Sequence, residues 1–266
     1  MNAALLLLAD SRLPAGGHGH SGGAEEAVRI GAIQDLPSLA AFLRGRLATA
    51  GLVTAALAAA ACELGANGSS PDPETSRSAW VRLDAEADAR ISSPAQRGAS
   101  RTQGRLLLRT SRRIWPSPVL DSLAGAVTSG VHHPLALGAV AAVAGCSPAE
   151  AALAAAYTSV TGPATAAVRL LGLDPVAVHR LLAELAPALE KVAAAVPTGQ
   201  VSRSGEGEEA GRPPRSEKSR GSGEAGKSRE SGMSWESWES LPAHAAPALD
   251  LLAEQHIRAD LRLFVS

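Results

Sequence analysis

Two phenylalanines, one tyrosine and four tryptophans are the only aromatic side chains in 266 residues, so any core this chain builds is packed from small and aliphatic groups. Apolar residues make up 45 per cent of the chain, enough to bury a substantial interior, and Ala, Leu and Val supply most of them. Sandwiches lean on aromatic and β-branched cross-strand pairs, whereas alanine-rich faces let helices approach closely. The expected fold class is therefore all-α, a single helical-bundle-like domain.

Local signals agree. Asp35 followed by Pro37 marks a helix start, and the run through Leu39, Phe42, Leu43 and Leu47 extends to Cys62. Residues 65 to 76 read as a loop, Trp80, Leu83 and Ala87 open the next periodic run, and Pro94 is expected to end it. Ser147-Pro148-Ala149-Glu150 has the spacing of a capping box. Its helix is expected to reach Thr161, with Gly162-Pro163 interrupting before Ala164 to Leu171. Asp174-Pro175 then starts a helix through Val178, Leu181, Leu185 and Leu189 to about Val196.

Residues 199 to 240 turn to Gly, Ser, Glu, Arg and Lys, a composition that buries too little apolar area to offset its ordering entropy. A disordered insertion is expected there, with the tandem Trp235-Glu236-Ser237-Trp238-Glu239-Ser240 as spacer or short linear motif. The organisation is thus a helical domain over 1–198, a linker over 199–240, and a C-terminal helix and tail over 241–266 belonging to the same domain.

Charge and cysteines exclude several classes. A net charge of −1, from 25 basic and 26 acidic residues, gives no overall pull toward nucleic acid or a membrane surface. Cys62 and Cys146 lie in alanine-rich runs and read as reduced core thiols. Leu5 to Leu8 lack a basic flank, with Asp10 and Arg12 following at once, so this is not a signal peptide, and a cytoplasmic location is expected.

Candidate chemistry is sparse. Arg97, Arg101, Arg105 and Arg109 recur every four residues, with Arg112 and Arg113 behind them, along one helix stripe. That stripe is a solvated face or a docking surface for an acidic partner; nucleic acid is disfavoured because no aromatic platforms are interleaved. His132 and His133 point to different helix faces, so His132 reads as a satisfied, partly buried histidine. Arg169, amid Ala166, Ala167, Val168, Leu170 and Leu171, either snorkels from a core helix or sits at a partner surface. Ser21 and Ser100 have no recognisable base, and no motif suits hydrolytic zinc, so no active site is expected.

The segment Leu13 to Glu25 is the most distinctive. Its glycines are costly to order, and His18 and His20 could face a metal, or the free amides before the next helix an anion. A Gly-rich connector with exposed histidines is the alternative. Leu8 to Ser21, with Gly23 and Glu25, resembles the amino-terminal signature of the urease accessory protein UreF family, Ser-x-x-Leu-Pro-x-Gly-Gly then Phe-Ser-Tyr-Ser-x-Gly-x-Glu. Here His18, Gly19 and His20 replace Phe, Ser and Tyr. Arg97, Ser100 and Gly104 match a central segment in which Ala95 stands at a Glu position; His132, Pro134 and Gly138 match His-x-Pro-x-x-x-Gly. Ala166 to Leu170 match Ala-Ala-Val-Arg-Leu, and Arg262 to Ser266 resemble the Arg-Leu-Phe-Arg-Ser terminus, with Val265 for the second Arg.

That resemblance implies an all-α, non-enzymatic scaffold or chaperone for urease maturation by nickel insertion. It implies a cytoplasmic homodimer that bridges UreD (UreH) and the GTPase UreG and acts on the urease apoprotein. Nickel is handled by the complex, with no cofactor bound permanently and no fixed metal site; His18 and His20 are the candidates if one exists. The implied partner interface comprises His20, Arg97, Ser100, Arg101, Gly104, Arg169, Arg262, Phe264 and Ser266, and the tail becomes ordered against UreD. Alternative readings are an independent nickel-binding metallochaperone using His18 and His20, or a regulator of UreG GTP hydrolysis.

Overall fold

The computed structural model describes residues 2–10, 12–67, 73–196, 238 and 241–265. Among them the chain forms eleven α-helices and no strand: α1 (Ala3–Ala9), α2 (Ala24–Arg29), α3 (Leu36–Arg46), α4 (Leu52–Ala66), α5 (Pro73–Arg90), α6 (Pro94–Ile114), α7 (Pro118–Ala126), α8 (His133–Val143), α9 (Pro148–Leu171), α10 (Pro175–Ala194) and α11 (Pro247–Arg258). The all-α expectation holds. The linker expected over 199–240 lies outside the described residues except for Trp238.

Helix α4 is the centre, packed most extensively on α8 and then on α9. Nearly every residue from Val53 to Cys62 is buried, and alanines make up most of that run. Small side chains let backbones touch: a Cβ added at Gly138 would lie 2.1 Å from the Ala58 carbonyl oxygen, and one at Gly104 of α6 would lie 2.0 Å from that of Val131. Around this seam α6 packs on α8, α10 on α9, α5 on α7, and α11 on α6 and α2. The 31-residue stretch Leu36–Ala66 is apolar enough to cross a membrane by length and composition, yet 61% of its most apolar window is buried in this core. Cys62 and Cys146 are buried, unbridged thiols, the first donating to the Cys146 carbonyl at 3.4 Å.

Both capping signals are realised. The Asp35 carboxylate accepts from the Ser38 amide at 2.9 Å while the Ser38 hydroxyl accepts from the Asp35 amide at 3.1 Å. Ser147 and Glu150 reciprocate in the same way, and the second Glu150 oxygen accepts from the Asn2 amide at 2.9 Å, tying α1 to α9. A turn of π-helix at Leu47–Gly51 joins α3 to α4, so the two read as one run to Ala66.

Four expectations need correcting. The 65–76 loop is shorter than composition suggested, because α4 reaches Ala66 and α5 starts at Pro73. Pro94 does not end α5, which stops at Arg90; it is the first residue of α6, where a missing N–H costs nothing. Trp238 is buried, and its carbonyl accepts from Arg90 Nη2 at 3.0 Å, so packing resumes inside the segment read as linker. Finally, α9 runs unbroken through Gly162-Pro163.

The last correction has a specific cause. Pro163 cannot donate to the Ser159 carbonyl four residues back, and helices normally break or kink there. Arg46 at the end of α3 replaces that donor, its Nε lying 2.8 Å from the Ser159 oxygen, while its Nη1 donates to the Gly22 carbonyl at 2.8 Å. Gly22 has φ +59, and a Cβ there would lie 3.0 Å from the Pro163 ring and 3.1 Å from Arg46. One guanidinium thus joins the glycine-rich loop to the proline turn of α9. Burial lowers its pKa to about 10, which leaves it charged at neutral pH.

Two substitutions test this architecture. Arg46→Met strands two carbonyls and is expected to cost about 2–3 kcal/mol in urea unfolding, against little for Arg44→Met on the exposed face. Gly104→Ala forces α6 off a backbone oxygen and is expected to cost about 3 kcal/mol or more.

Candidate functional site

The matched central segments meet in a polar cluster where α5, α6 and α8 converge. Asp84 and Asp88, one turn apart on α5, face Arg101 of α6, whose Nη2 lies 2.8 Å from Asp84 Oδ2 and 2.6 Å from Asp88 Oδ2. Arg101 Nη1 also donates to the Gly130 carbonyl. His132 caps the start of α8 with no exposed surface, its Nε2 2.9 Å from Asp88 Oδ1 and its Nδ1 3.1 Å from Ser100 Oγ. The Ser100 oxygen accepts from the His133 amide at 3.1 Å, so its proton is directed to Nδ1 and His132 donates through Nε2. Burial pushes the His132 pKa down, and the Asp88 hydrogen bond only partly opposes that. Burial would raise the Asp88 pKa, but His132 and Arg101 outweigh it and hold the carboxyl below its ordinary value.

Ligand atoms of Asp84, Asp88 and His132 lie within 4.8 Å of one another, close enough for a metal. The guanidinium of Arg101 fills the place between the carboxylates, so the cluster contains its own cation and does not fit one. Arg97 Nη1 donates to the Ile91 and Ser92 carbonyls at 2.7 and 3.0 Å, closing the chain after α5. Arg97, Ser100, Arg101 and Gly104 are therefore all engaged within the chain.

The other matched residues form a surface where the two ends of the sequence meet. Glu25, the second residue of α2, accepts from the Leu263 amide at 2.5 Å and the Phe264 amide at 3.0 Å. The Val265 amide donates to the Gly19 carbonyl at 2.6 Å. His256 of α11 is buried, 3.3 Å through Nε2 from the Phe264 carbonyl and 3.7 Å from Glu25 Oε2. Phe264 is 6% exposed, and the guanidinium of Arg169 stacks over its ring at 5.1 Å. Arg169 and Arg262 are exposed at this surface, whereas the His18 side chain and Ser266 lie outside the described residues.

An open cavity of about 1190 Å³ runs beside this surface, and His20, His133, His179, His244 and His256 contribute to its walls. Burial lowers the His20 pKa and carries that of His133 to about 4, with His20 adding to the effect on His133. Both imidazoles are neutral at neutral pH. Sequence reasoning missed Asp84, Asp88, Arg46 and His256, whose partners lie on other elements of the chain; Glu25 belongs to the amino-terminal signature but had no role assigned.

Two outcomes follow. The unfolded chain binds protons on these histidines from about pH 6.5 while the native chain holds His133 neutral to about 4, so stability falls as pH drops through that window. His133→Gln should lessen the decline between about pH 7 and 5 by 1–2 kcal/mol in urea titrations. Arg101→Met leaves buried Asp84 facing half-exposed Asp88 and should cost about 2–3 kcal/mol at neutral pH, with partial recovery in acid.

Comparison with known proteins agrees with the motifs. The UreF family model matches residues 33–186. The urease accessory protein UreF of Mycolicibacterium vanbaalenii is 49% identical over 192 residues, 72% of this chain and 84% of that protein. That of Mycobacterium sp. strain JLS is 48% identical over 191 residues, 72% and 83% of the two chains, and that of Mycobacterium tuberculosis is 42% identical over 191 residues with the same coverage. The chain belongs to the UreF family, whose members are named as urease accessory proteins and not as enzymes.

Proposed function

We propose that this chain is a non-enzymatic scaffold for nickel insertion into the urease apoprotein, joining UreD (UreH) to the GTPase UreG in the cytoplasm, and working as a homodimer. The observation that carries this reading is the junction of the signature loop and the C-terminal tail at Glu25, where residues more than two hundred positions apart form one surface. A rigid partner reads such a composite surface only when both ends of the chain are in place, as an assembly factor requires. Exposed Arg169 and Arg262, flanking the seated Phe264, supply cations at its edge. Nickel is handled by the assembled complex and is not a resident cofactor of this chain.

A second reading, an independent nickel carrier using His18 and His20, draws on the burial of His20, which lowers its pKa and keeps it neutral and therefore competent as a ligand. A regulator of UreG GTP hydrolysis would draw on exposed Arg169 as a guanidinium presented to the nucleotide site.

The test is co-purification with the cognate UreD and UreG, read by size-exclusion chromatography with light scattering, for the full chain and a chain ending at Ala259. That end point retains buried His256 and all of α11. The expected outcome is a complex with the full chain and loss of UreD from the shortened one. Equal complexes would remove the tail from the interface. No complex, with stoichiometric nickel binding by the isolated chain lost in His18→Ala/His20→Ala, would replace the scaffold by the carrier.

A further inference from the structure

We propose that the outer half of α6 is a docking surface for an acidic helical segment of a partner protein, one presenting carboxylates a helical turn apart. The arginines of α6 divide into two groups. Arg97 and Arg101 are turned inward, Arg101 bridging two carboxylates that α5 presents at positions four residues apart, Asp84 and Asp88. Arg105, Arg109 and Arg113 continue at the same spacing and are exposed. No ion pair involves any of these three among the described residues; Arg105 Nη2 donates to Thr102 Oγ1 at 3.4 Å, within its own helix. Arg112, by contrast, is paired with Asp121 at 2.6 Å.

Like charges at four-residue intervals destabilise a helix; the C-terminal end of α6 favours Arg113 in its last turn, whereas Arg105 and Arg109 have no carboxylate partner among the described residues. Arg105 and Arg109 also border a concave surface. A groove of about 430 Å³ lies between α6 and the 127–131 turn, with Arg105, Arg109 and Arg112 on one wall and Ala124, Val127 and Val131 across from them. The Arg105 stem is packed on Gly130, where an added Cβ would lie 2.9 Å from Arg105 Cδ, so that guanidinium is already partly ordered before a partner arrives. Guanidinium groups favour planar, bidentate carboxylate pairing, and the α5 contact shows the spacing this helix accepts. Among the described residues these arginines do not contact Glu25 or the tail, although Thr110 Oγ1 of the same helix donates to the Pro14 carbonyl of the signature loop at 3.0 Å, and the inference stands whichever reading of the overall function holds.

The experiment uses the full chain and a fluorescein-labelled alanine-based helical peptide with glutamates at i and i+4, beside its glutamine counterpart, followed by anisotropy. The glutamate peptide is expected to bind and the glutamine peptide not. Affinity should fall at least about tenfold in Arg105→Gln/Arg109→Gln, weaken with added salt, and hold in Arg180→Gln on a different exposed face. Circular dichroism verifies that the double variant retains its helix content. Equal binding of the two peptides, binding of neither, or an undiminished double variant would overturn the proposal. So would tighter binding, through the same arginines, of a single-stranded oligonucleotide or of phosphatidylserine vesicles, which would assign the surface to nucleic acid or to a membrane.

Discussion

Backbone contact between helices is the constraint on which the rest of this structure depends. Gly138 sets α8 against the Ala58 carbonyl of α4, and Gly104 sets α6 against the Val131 carbonyl just before α8. With so few aromatic side chains, dispersion over alanine-lined backbones takes the place of bulky interdigitation, and that works only at close range. Each contact admits one register. The close approach at Gly104 therefore sets the position of His132 at the start of α8 relative to Ser100 on α6.

The polar cluster follows from that register. Ser100, His132, Asp88 and Arg101 link α6, α8 and α5, and the half-exposed Asp88 satisfies the fully buried His132 ring, whose N–H would otherwise have no partner. A cluster of this kind adds less net stability than its distances suggest, because removing its charges from water offsets much of the attraction. Its main effect is to fix one arrangement of α5: a helix that offers Asp84 and Asp88 to Arg101 has one rotation about its axis that satisfies both. The central family segment, legible in the sequence as a block of conspicuous polar residues, is thus an internal joint.

Local signals were legible because their physics is local. Asp35 with Ser38 and Ser147 with Glu150 each satisfy orphan amides within three residues, so both helix starts can be read from the chain alone. Pro163 was misread because the donor that replaces its missing N–H is Arg46, more than a hundred residues earlier. Trp238 was assigned to the linker because its neighbours are Glu and Ser; the Arg90 contact that holds it comes from α5. The same limit hid the site. Glu25 reads as an ordinary acidic residue in the first turn of a helix, and only the folded chain brings the amides of Leu263 and Phe264 to it. Arg101 reads as one member of a uniform stripe until α5 distinguishes it from Arg105 and Arg109.

The loop and tail junction also bears on the unusual residues of this chain. The departures at Gly19 and Val265 face each other: a Cβ added at Gly19 would lie 3.6 Å from Val265 Cγ2, and the Val265 amide donates to the Gly19 carbonyl. The tail is held by three backbone donors, at Leu263, Phe264 and Val265, and by the seated Phe264 ring. None of these interactions requires a particular side chain at position 265. The position therefore tolerates valine in the free chain, and a charged residue there would act outward, on whatever the junction meets. Glu25 has no such latitude. Its two oxygens accept both amides from the first turn of α2, and no neutral residue of the same length presents two acceptors.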